Sequence, residues 1–381
     1  MINSKQRLAV IGASYLQQPL VEKAKEMGLE VHCFAWEEGA VCKDLADHFY
    51  PISIIEKEEI LSICQQIGIN GICTIASDVA APTVAYVAEK MGLVGNSYES
   101  AVRANNKYLM RESFSKADVP CPKYMVATPN TLNTPAVLDG LRDFQYPIII
   151  KPSDRSGSLG VSKICTPGEY YPAIKQAMKV SFRHEAMIEE FIDGREISVE
   201  FISYQGHHYP LQITDKVTTE APHFVELEHH QPSSLSKEMY ETIYSITEKA
   251  LNALGITNGA SHSEYKITPK GRIAIMEIGA RMGGDFIGSD LVRLSTGYDF
   301  LKGVIEVALG IFKKPNITEH KYSGVYFLCK ETEYLLPFFN MWESNHEIRY
   351  CEVIDNNLRN VLCSADRSGY FIYQSDRKFE L

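Results

Sequence analysis

Two glutamates within residues 258–285 are the side chains of this sequence best suited to hold a metal ion. The segment is predicted to form two strands joined by a tight turn at Pro-Lys-Gly, residues 269–271. Because strand side chains alternate, Glu264 and Glu277 are expected on the same face of this hairpin. Facing carboxylates repel each other unless a cation lies between them, and Mg²⁺ commonly takes one or two carboxylates. From the hairpin alone, two exposed glutamates on a solvated strand are the more ordinary interpretation.

Two lysines and a loop rich in serine and glycine indicate an anion site. Lys107 lies near the start of a helix predicted over residues 105–117, and Lys151 follows an apolar strand at residues 146–150. A lysine at the end of a buried strand is costly unless it meets an anion, so Lys151 fits a nucleotide phosphate, although a side chain reaching solvent explains it equally well. The loop at residues 153–161, which includes Ser156, Gly157 and Ser158, offers donors to an anion and can close as a lid. It is not a Walker A loop.

A strand predicted over residues 185–191 passes through a turn into a second strand at residues 195–203. Main-chain groups of residues 189–192, Glu-Glu-Phe-Ile, could pair with the edge of an adenine. Glu196 follows the turn, where its carboxylate could accept ribose hydroxyls. A carboxylate beside a hairpin turn is usually only solvated, and that alternative stays open here.

The first 103 residues alternate strands with helices, which predicts an open parallel α/β domain. The first strand–helix turn lacks GxGxxG, so neither NAD nor FAD is assigned. Polar residues at two strand ends either line a substrate pocket or cap helices: Ser14, Gln17, Gln18, Ser77 and Asp78. For Asp78 we expect capping.

Composition bounds the class of protein. A chain of 381 residues is expected to form two or three domains, and a net charge of −10 disfavours nucleic acid and anionic membranes as general partners. Nine scattered cysteines without CxxC indicate free thiols in a reducing compartment. The sequence shows no signal-peptide core and no apolar run of membrane-spanning length, so a cytoplasmic enzyme is expected.

The segment at residues 215–232 is rich in histidine and glutamate. His223, Glu226, His229 and His230 invite a zinc interpretation, but their spacing is irregular, and a substrate loop is the better prediction. In that loop His229 could bind an amine or act as its base.

Five segments, taken in order, resemble those of the ATP-grasp superfamily over about residues 7–310. They are Lys107, the strand ending in Lys151 and Pro152, the serine/glycine loop, EEFIDGRE at 189–196 and MEIGARMGG at 276–284. GASHSE at 259–264 and ARMGGD at 280–285 look like the pattern of the members that join a carboxylate to an amine, including L-amino-acid ligases.

The resemblance implies a parallel-sheet α/β domain at residues 1–103, followed by an α+β ATP-grasp fold at residues 104–312. Within that fold we expect a lid subdomain at about 120–190 and a metal-site subdomain at about 191–312. Alternating apolar and polar residues rich in Tyr and Phe predict a small β-rich appendage at residues 313–381.

The resemblance also implies roles for individual residues. It places Lys107, Lys151 and the loop residues Ser156, Gly157 and Ser158 on phosphates, Glu189, Glu190, Phe191 and Ile192 at adenine, Glu196 at ribose, and Glu264 and Glu277 on Mg²⁺, with Mn²⁺ as an alternative. Lys151 and Arg281 are the expected catalytic cations, since the planar fork of Arg281 suits a carboxylate or a phosphoryl group. Further candidates for substrate contact are Gly283, Asp285, His229, Ser77 and Asp78. Many members carry Asn two residues after the second metal-binding Glu, whereas this chain has Gly279.

The predicted activity is therefore an ATP-dependent ligase that forms an acyl phosphate from a carboxylate and joins it to an amine. Two alternatives remain at this stage: a nucleotide-pathway carboxylase or formate-dependent transferase, and a nucleotide-binding regulator without turnover. The expected partners are small-molecule substrates, without nucleic acid or membrane, and a homodimer is compatible with the sequence. The substrates themselves and the role of the C-terminal region are left open.

Overall fold

The computed structural model describes residues 5–155, 159–219, 224–379 and 381. The chain begins with a parallel sheet, as predicted, which has four strands in the order β3-β2-β1-β4. Its strands are β1 (Arg7–Ile11), β2 (Glu30–Phe34), β3 (His48–Tyr50) and β4 (Gly71–Cys73). The helices of this region are α1 (Gln18–Glu26), α2 (Lys57–Ile67), α3 (Ala81–Met91) and α4 (Tyr98–Asn105).

The helix predicted over residues 105–117 begins at Lys107 instead, because Asn106 separates it from the end of α4. Asn106 is extended, and its side chain accepts a hydrogen bond from the Leu109 amide at 2.9 Å, which caps the following helix. Lys107 is therefore the first residue of α5 (Lys107–Lys116), and its amide donates to the Ser153 carbonyl at 2.7 Å. This contact ties the start of α5 to the residue where the serine/glycine loop begins.

A second sheet of four antiparallel strands has the order β5-β8-β6-β7. Its elements, in chain order, are β5 (Tyr124–Ala127), α6 (Pro135–Arg142), β6 (Ile148–Pro152), β7 (Ser162–Ile164), α7 (Tyr170–Val180) and β8 (Ala186–Glu190). Apolar side chains of the sheet and of α6 and α7 form one core. Since β8 lies between β5 and β6, the main chain of Glu189 faces a neighbouring strand on each side.

The third sheet has eight strands in the order β13-β12-β9-β10-β11-β14-β16-β15. Its strands are β9 (Arg195–Tyr204), β10 (His207–Thr218), β11 (Glu226–Gln231), β12 (Gly259–Ile267), β13 (Ile273–Gly279), β14 (Tyr322–Leu328), β15 (Ile348–Val353) and β16 (Gly369–Ser375). The helices are α8 (Lys237–Leu254), α9 (Val292–Thr296), α10 (Phe300–Ala308) and α11 (Leu336–Asn340). The C-terminal strands thus continue the sheet that carries the glutamate hairpin. The predicted domain limits stay predictions.

The parallel sheet and the eight-stranded sheet share a core. Val304 on α10 packs with Leu8 and Val10 of β1, and the same cluster includes Met282. Ile75, just after β4, forms a parallel bridge with Met282. These contacts fix the segment after β13 against the end of β4, where Asp78 lies. None of the described helices combines the length and apolar character needed to cross a bilayer.

Candidate active site

The hairpin of β12 and β13 places two carboxylates side by side. Glu264 and Glu277 are direct cross-strand partners, with a bulge immediately after Glu264. Both line a cleft of about 260 Å³ between the two antiparallel sheets. The predicted site residues that line the same cleft are Asp78, Lys107, Lys151, Glu190, Phe191, Ile192, Glu196 and Arg281. The same-face prediction is therefore confirmed, and the interpretation of solvated glutamates is wrong.

Each of the paired glutamates is bound by a lysine from a different element. Lys107 on α5 lies 2.8 Å from Glu277 Oε1, and Lys216 on β10 lies 2.8 Å from Glu264 Oε1. The Lys216 charge holds the pKa of Glu264 well below its usual range. Within the described residues these ion pairs engage only Oε1 of each glutamate, so the Oε2 atoms are available to a cation.

Lys216 is the functional candidate that sequence reasoning missed. Besides Glu264, its ammonium group lies 3.2 Å from Glu196 and 3.6 Å from Glu226. Burial would lower the pKa of Lys216, but the three carboxylates outweigh burial and raise the pKa well above its usual range. A permanently charged lysine therefore stands in the cleft beside the proposed ribose and metal residues. The acidic neighbours come from three separate strands, so no local pattern in the sequence pointed to it.

Lys151 belongs to a buried ion-pair cluster with Glu189 and Arg111. Glu189 lies 2.5 Å from Lys151 and 2.8 Å from Arg111, and the Glu189 carboxylate is almost inaccessible to solvent. Burial would raise the pKa of Glu189, but the two cations outweigh it and lower that pKa. Desolvation lowers the pKa of Lys151, an effect that Glu189 opposes. The alternative in which Lys151 reaches solvent is wrong.

The geometry changes the prediction for adenine. Both edges of β8 are paired, so the main chain of Glu189 is committed to the sheet, and its side chain serves Lys151. The Glu190 amide likewise donates to the Lys123 carbonyl at 2.9 Å. The run proposed for adenine therefore narrows to Phe191 and Ile192, which line the cleft just after β8. Ser156, Gly157 and Ser158 lie outside the described residues.

Arg281 and Asp78, which both line the cleft, join the eight-stranded sheet to the parallel sheet. The Arg281 Nε and Nη2 atoms donate to the two Asp78 oxygens at 2.8 and 2.7 Å. The expectation that Asp78 caps a helix is wrong, because α3 begins at Ala81 and the carboxylate binds Arg281 instead. The N-cap of α3 is Ala80, which has no side-chain cap, and the Ser77 hydroxyl accepts a hydrogen bond from the Ala80 amide at 3.3 Å in the turn before the helix.

Asp78 also explains why residue 279 is glycine. A Cβ atom at Gly279 would lie only 2.5 Å from Asp78 Oδ1 and 3.1 Å from the Arg281 guanidinium. An asparagine, which many superfamily members carry here, would collide with this pair. Asp78 thus brings a carboxylate oxygen from another sheet into the space that an asparagine side chain would fill.

A second buried pair holds the loop after Arg281. His262 on β12 contacts Glu200 on β9 through Nδ1, and its Nε2 lies 3.4 Å from Glu264. Burial would lower the pKa of His262, but Glu200 outweighs burial and raises it to about 9. The Gly283 amide donates to the other Glu200 oxygen at 3.1 Å, and a Cβ there would lie 2.7 Å from the His262 ring. Glycine at residue 283 therefore lets the main chain come close enough to His262 and Glu200 for its amide to bind the Glu200 carboxylate.

Asp285 lies apart from the cleft-lining residues and binds the C-terminal region. Arg367, just before β16, holds both Asp285 oxygens at 2.9 Å, and its guanidinium stacks over Phe327 at 3.8 Å. Asp285 and Phe286 both have positive φ, at 48° and 66°, a conformation that such residues adopt only when their surroundings enforce it. Arg367 had no signal in the sequence.

Among the described residues, the zinc ligands considered for residues 223–230, namely Glu226, His229 and His230, do not converge on one site. His229 is buried 3.9 Å from Asp285, and burial lowers its pKa. His230, on the opposite face of β11, binds Glu228 at 2.9 Å. His223 lies outside the described residues.

Residues 144–290 match the model of the ATP-grasp domain. The chain contains an ATP-grasp domain, as its motifs predicted. Over 276 residues the chain is 29% identical to the alanine–anticapsin ligase of Bacillus subtilis, a match covering 64% of the chain and 57% of that protein. It is 26% identical over 255 residues to the D-alanine–D-alanine ligase of Geobacter sulfurreducens, covering 64% of the chain and 78% of that protein. The chain thus spans little more than half the length of the first of these relatives.

Solved structures share the fold of the whole chain. The L-amino acid ligase from Bacillus licheniformis superposes with a TM-score of 0.80 at 22% identity, covering 98% of this chain and 94% of that one. Phosphoribosylglycinamide synthetase from Anaerococcus prevotii gives a TM-score of 0.77 at 20% identity, covering 98% and 95%. The predicted fold class, a parallel α/β sheet followed by an ATP-grasp fold with C-terminal strands, is confirmed.

Proposed function

We propose that the protein is an ATP- and Mg²⁺-dependent ligase that joins the carboxylate of one small molecule to the amine of another. The observation that carries this proposal is the direct pairing of Glu264 with Glu277 in a cleft that also presents Lys107, Lys216 and Arg281. Amino acids are the proposed substrates, because the similar proteins are named as ligases of alanine and D-alanine.

The donor set fits a hard divalent cation. Two carboxylates on adjacent strands offer oxygen ligands on one face, and each keeps one oxygen outside the described ion pairs. Asp78 supplies a third carboxylate beside Gly279. Mg²⁺ bound with ATP would add positive charge where negative charge develops during phosphoryl transfer.

In the proposed reaction, the cationic side chains of the cleft bind the phosphates of ATP and the substrate carboxylate. Lys107 and Lys151 approach the cleft from α5 and β6, and in the proposed reaction their ammonium groups bind phosphate oxygens. Arg281 can exchange the bidentate contact with Asp78 for an equally bidentate contact with a substrate carboxylate. Its position between the glutamates and Asp78 would direct that carboxylate towards the transferred phosphoryl group.

No protein nucleophile is needed for this chemistry. An oxygen of the substrate carboxylate attacks the γ-phosphorus and ADP leaves. The amine nitrogen then attacks the acyl carbon and gives up one proton to solvent, and phosphate leaves as the amide forms. The role of the enzyme is to position the reactants and neutralise charge.

The proposal is tested by measuring ADP release against a panel of single amino acids and amino-acid pairs, with products identified by mass spectrometry. We expect ADP and phosphate in equal amounts with one amide product. ATP binding without turnover on any panel would instead favour a nucleotide-binding regulator.

Glu277→Gln provides the residue-level test. Loss of a metal-binding carboxylate is expected to reduce ADP formation at least ~100-fold, equivalent to about 2.7 kcal/mol of transition-state stabilisation. Glu241→Gln, at an exposed position on α8, is the matched control and should keep full activity. Near-full turnover by Glu277→Gln would remove this residue from the metal site.

A further inference from the structure

The outer edge of the N-terminal parallel sheet carries a group of side chains unrelated to the cleft. Glu30 and His32 are two residues apart on β2, so they point to the same face. His48 on the edge strand β3 is the direct partner of His32. The parallel register therefore places one carboxylate and two imidazoles together. The potential ligand atoms of Glu30, His32 and His48 all lie within 4.8 Å of one another, and no other group of three or more His, Cys, Asp or Glu side chains among the described residues meets this criterion.

The distances approach those of a tetrahedral metal site. His32 Nε2 lies 3.0 Å from Glu30 Oε1, and His48 Nε2 lies 3.6 Å from the same oxygen. With zinc–ligand bonds of about 2.0–2.2 Å, two ligand atoms of a tetrahedral ion lie roughly 3.3 Å apart. The two imidazole rings are stacked with centroids 4.6 Å apart, so His48 must turn for both lone pairs to converge. Its side chain is 52% exposed and free to do so.

The surroundings prepare His32 as a ligand. Its ring is buried, and its Nδ1 atom lies 3.2 Å from the Tyr50 hydroxyl. The aromatic ring of Tyr50 stacks on Phe34. With no ion bound, Nε2 donates its hydrogen to the Glu30 carboxylate at 3.0 Å, because a carboxylate only accepts. A metal ion would displace that proton, and the Tyr50 hydroxyl would then accept a hydrogen bond from Nδ1 and keep Nε2 directed at Glu30.

One cation competes for this position. Arg7 Nε lies 3.7 Å from Glu30 Oε1, while its Nη1 atom donates to the Ile67 carbonyl at the end of α2. Because the Arg7 guanidinium is also held by that carbonyl, a metal ion can replace it at Glu30 without leaving it unpaired.

We propose that Glu30, His32 and His48 bind one divalent transition-metal ion, for which Zn²⁺ is the best match, with water as the fourth ligand. Two imidazoles and one carboxylate suit Zn²⁺ better than Mg²⁺. The ion would join the three-residue edge strand β3 to β2. Glu30 begins β2, whereas Asp78 follows the opposite, C-terminal end of β4, so the site is separate from the cleft.

The test is titration of the tag-free, metal-free full chain with Zn²⁺ by calorimetry, in excess Mg²⁺ so that the cleft glutamates are occupied. We expect one tight site and an increase in thermal midpoint on binding. His48→Ala should weaken that site by at least ~10-fold. His346→Ala, at an exposed histidine elsewhere, is the matched control and should change nothing. Because His48 is an exposed edge residue, the variant is expected to fold.

Arg7→Gln supplies a test in the opposite direction. Removal of the competing cation should tighten Zn²⁺ binding, an effect that a general loss of structure would not produce. The absorption bands of tetrahedral Co²⁺, present in the wild type and lost in His48→Ala, would report the geometry. The proposal would be overturned if neither His48→Ala nor Glu30→Gln changed the Zn²⁺ affinity. It would also be overturned if the wild type did not bind at ~100 μM Zn²⁺, because a Kd above this concentration means a binding free energy smaller in magnitude than about 5.5 kcal/mol.

Discussion

Raising the pH from 6 to 10 is expected to remove the stabilisation that the buried pair of His262 and Glu200 gives to the folded chain. The pKa of His262 is about 9 in the folded state, against an ordinary value of 6.5 that applies when the chain unfolds. A raised pKa means that the stabilisation is complete below pH 6.5 and is lost as the pH rises through 9. A difference of about 2.5 pKa units corresponds to about 3 kcal/mol, at about 1.36 kcal/mol per unit.

The assay is the thermal unfolding midpoint as a function of pH for the wild type and for Glu200→Gln. The variant preserves side-chain shape and an acceptor for the Gly283 amide, but removes the charge that holds the proton on His262. For a domain of about 200 residues, ~3 kcal/mol corresponds to roughly 6–12 °C. The gap between the two proteins should therefore be large at pH 6 and shrink towards pH 10.

Glu241→Gln is the control for the loss of one acidic side chain, and it should follow the wild type at every pH. A gap between wild type and Glu200→Gln that stays the same from pH 6 to pH 10 would refute the reasoning. It would mean that His262 does not change its protonation state between pH 6 and pH 10, and that the Glu200 charge stabilises the fold independently of His262 titration.

Three further outcomes are expected. Lys151→Ala should weaken ATP binding at least ~10-fold in calorimetry, about 1.4 kcal/mol, and an unchanged Kd would remove this lysine from the phosphate site. Glu189→Gln should lower the thermal midpoint by the equivalent of about 3–5 kcal/mol, because Arg111 and Lys151 lose their buried partner; a small shift would contradict this. Gly279→Asn should abolish ADP formation, and adding Asp78→Gly should restore part of it; no recovery would argue against the steric explanation.

Local patterns in the sequence predicted much of the fold and the glutamate pair. Alternation of strands and helices gave the parallel sheet, because each short element has its own period of apolar residues. The turn at residues 269–271 defined the hairpin, and the two glutamates were predicted on one of its faces. Their direct pairing depends on the bulge after Glu264, because the regular register that pairs Tyr265 with Ile275 would otherwise place Met276 opposite Glu264. These features depend on neighbours within about twenty residues, and for that reason they are visible in one sequence.

Contacts between distant segments could not be predicted in this way. Arg281 reaches Asp78 across 203 residues of chain, and Lys107 reaches Glu277 across 170. Asp78 has the residue type and position of a helix cap, so propensity favoured a role that the tertiary contact overrides. Lys216 was missed for the same physical reason: its partners converge only when the large sheet has formed.

The large sheet runs without interruption from the glutamate hairpin to β15, and this has a practical consequence for shortened forms of the chain. Cutting the chain after residue 312 would strip β14 from β11 and leave a bare strand edge, which favours aggregation. It would also remove Arg367 and release Asp285 from its only bidentate partner in the described residues. The last seventy residues should accordingly be kept with the sheet that carries the glutamate hairpin in any truncation, tag placement or exchange between relatives.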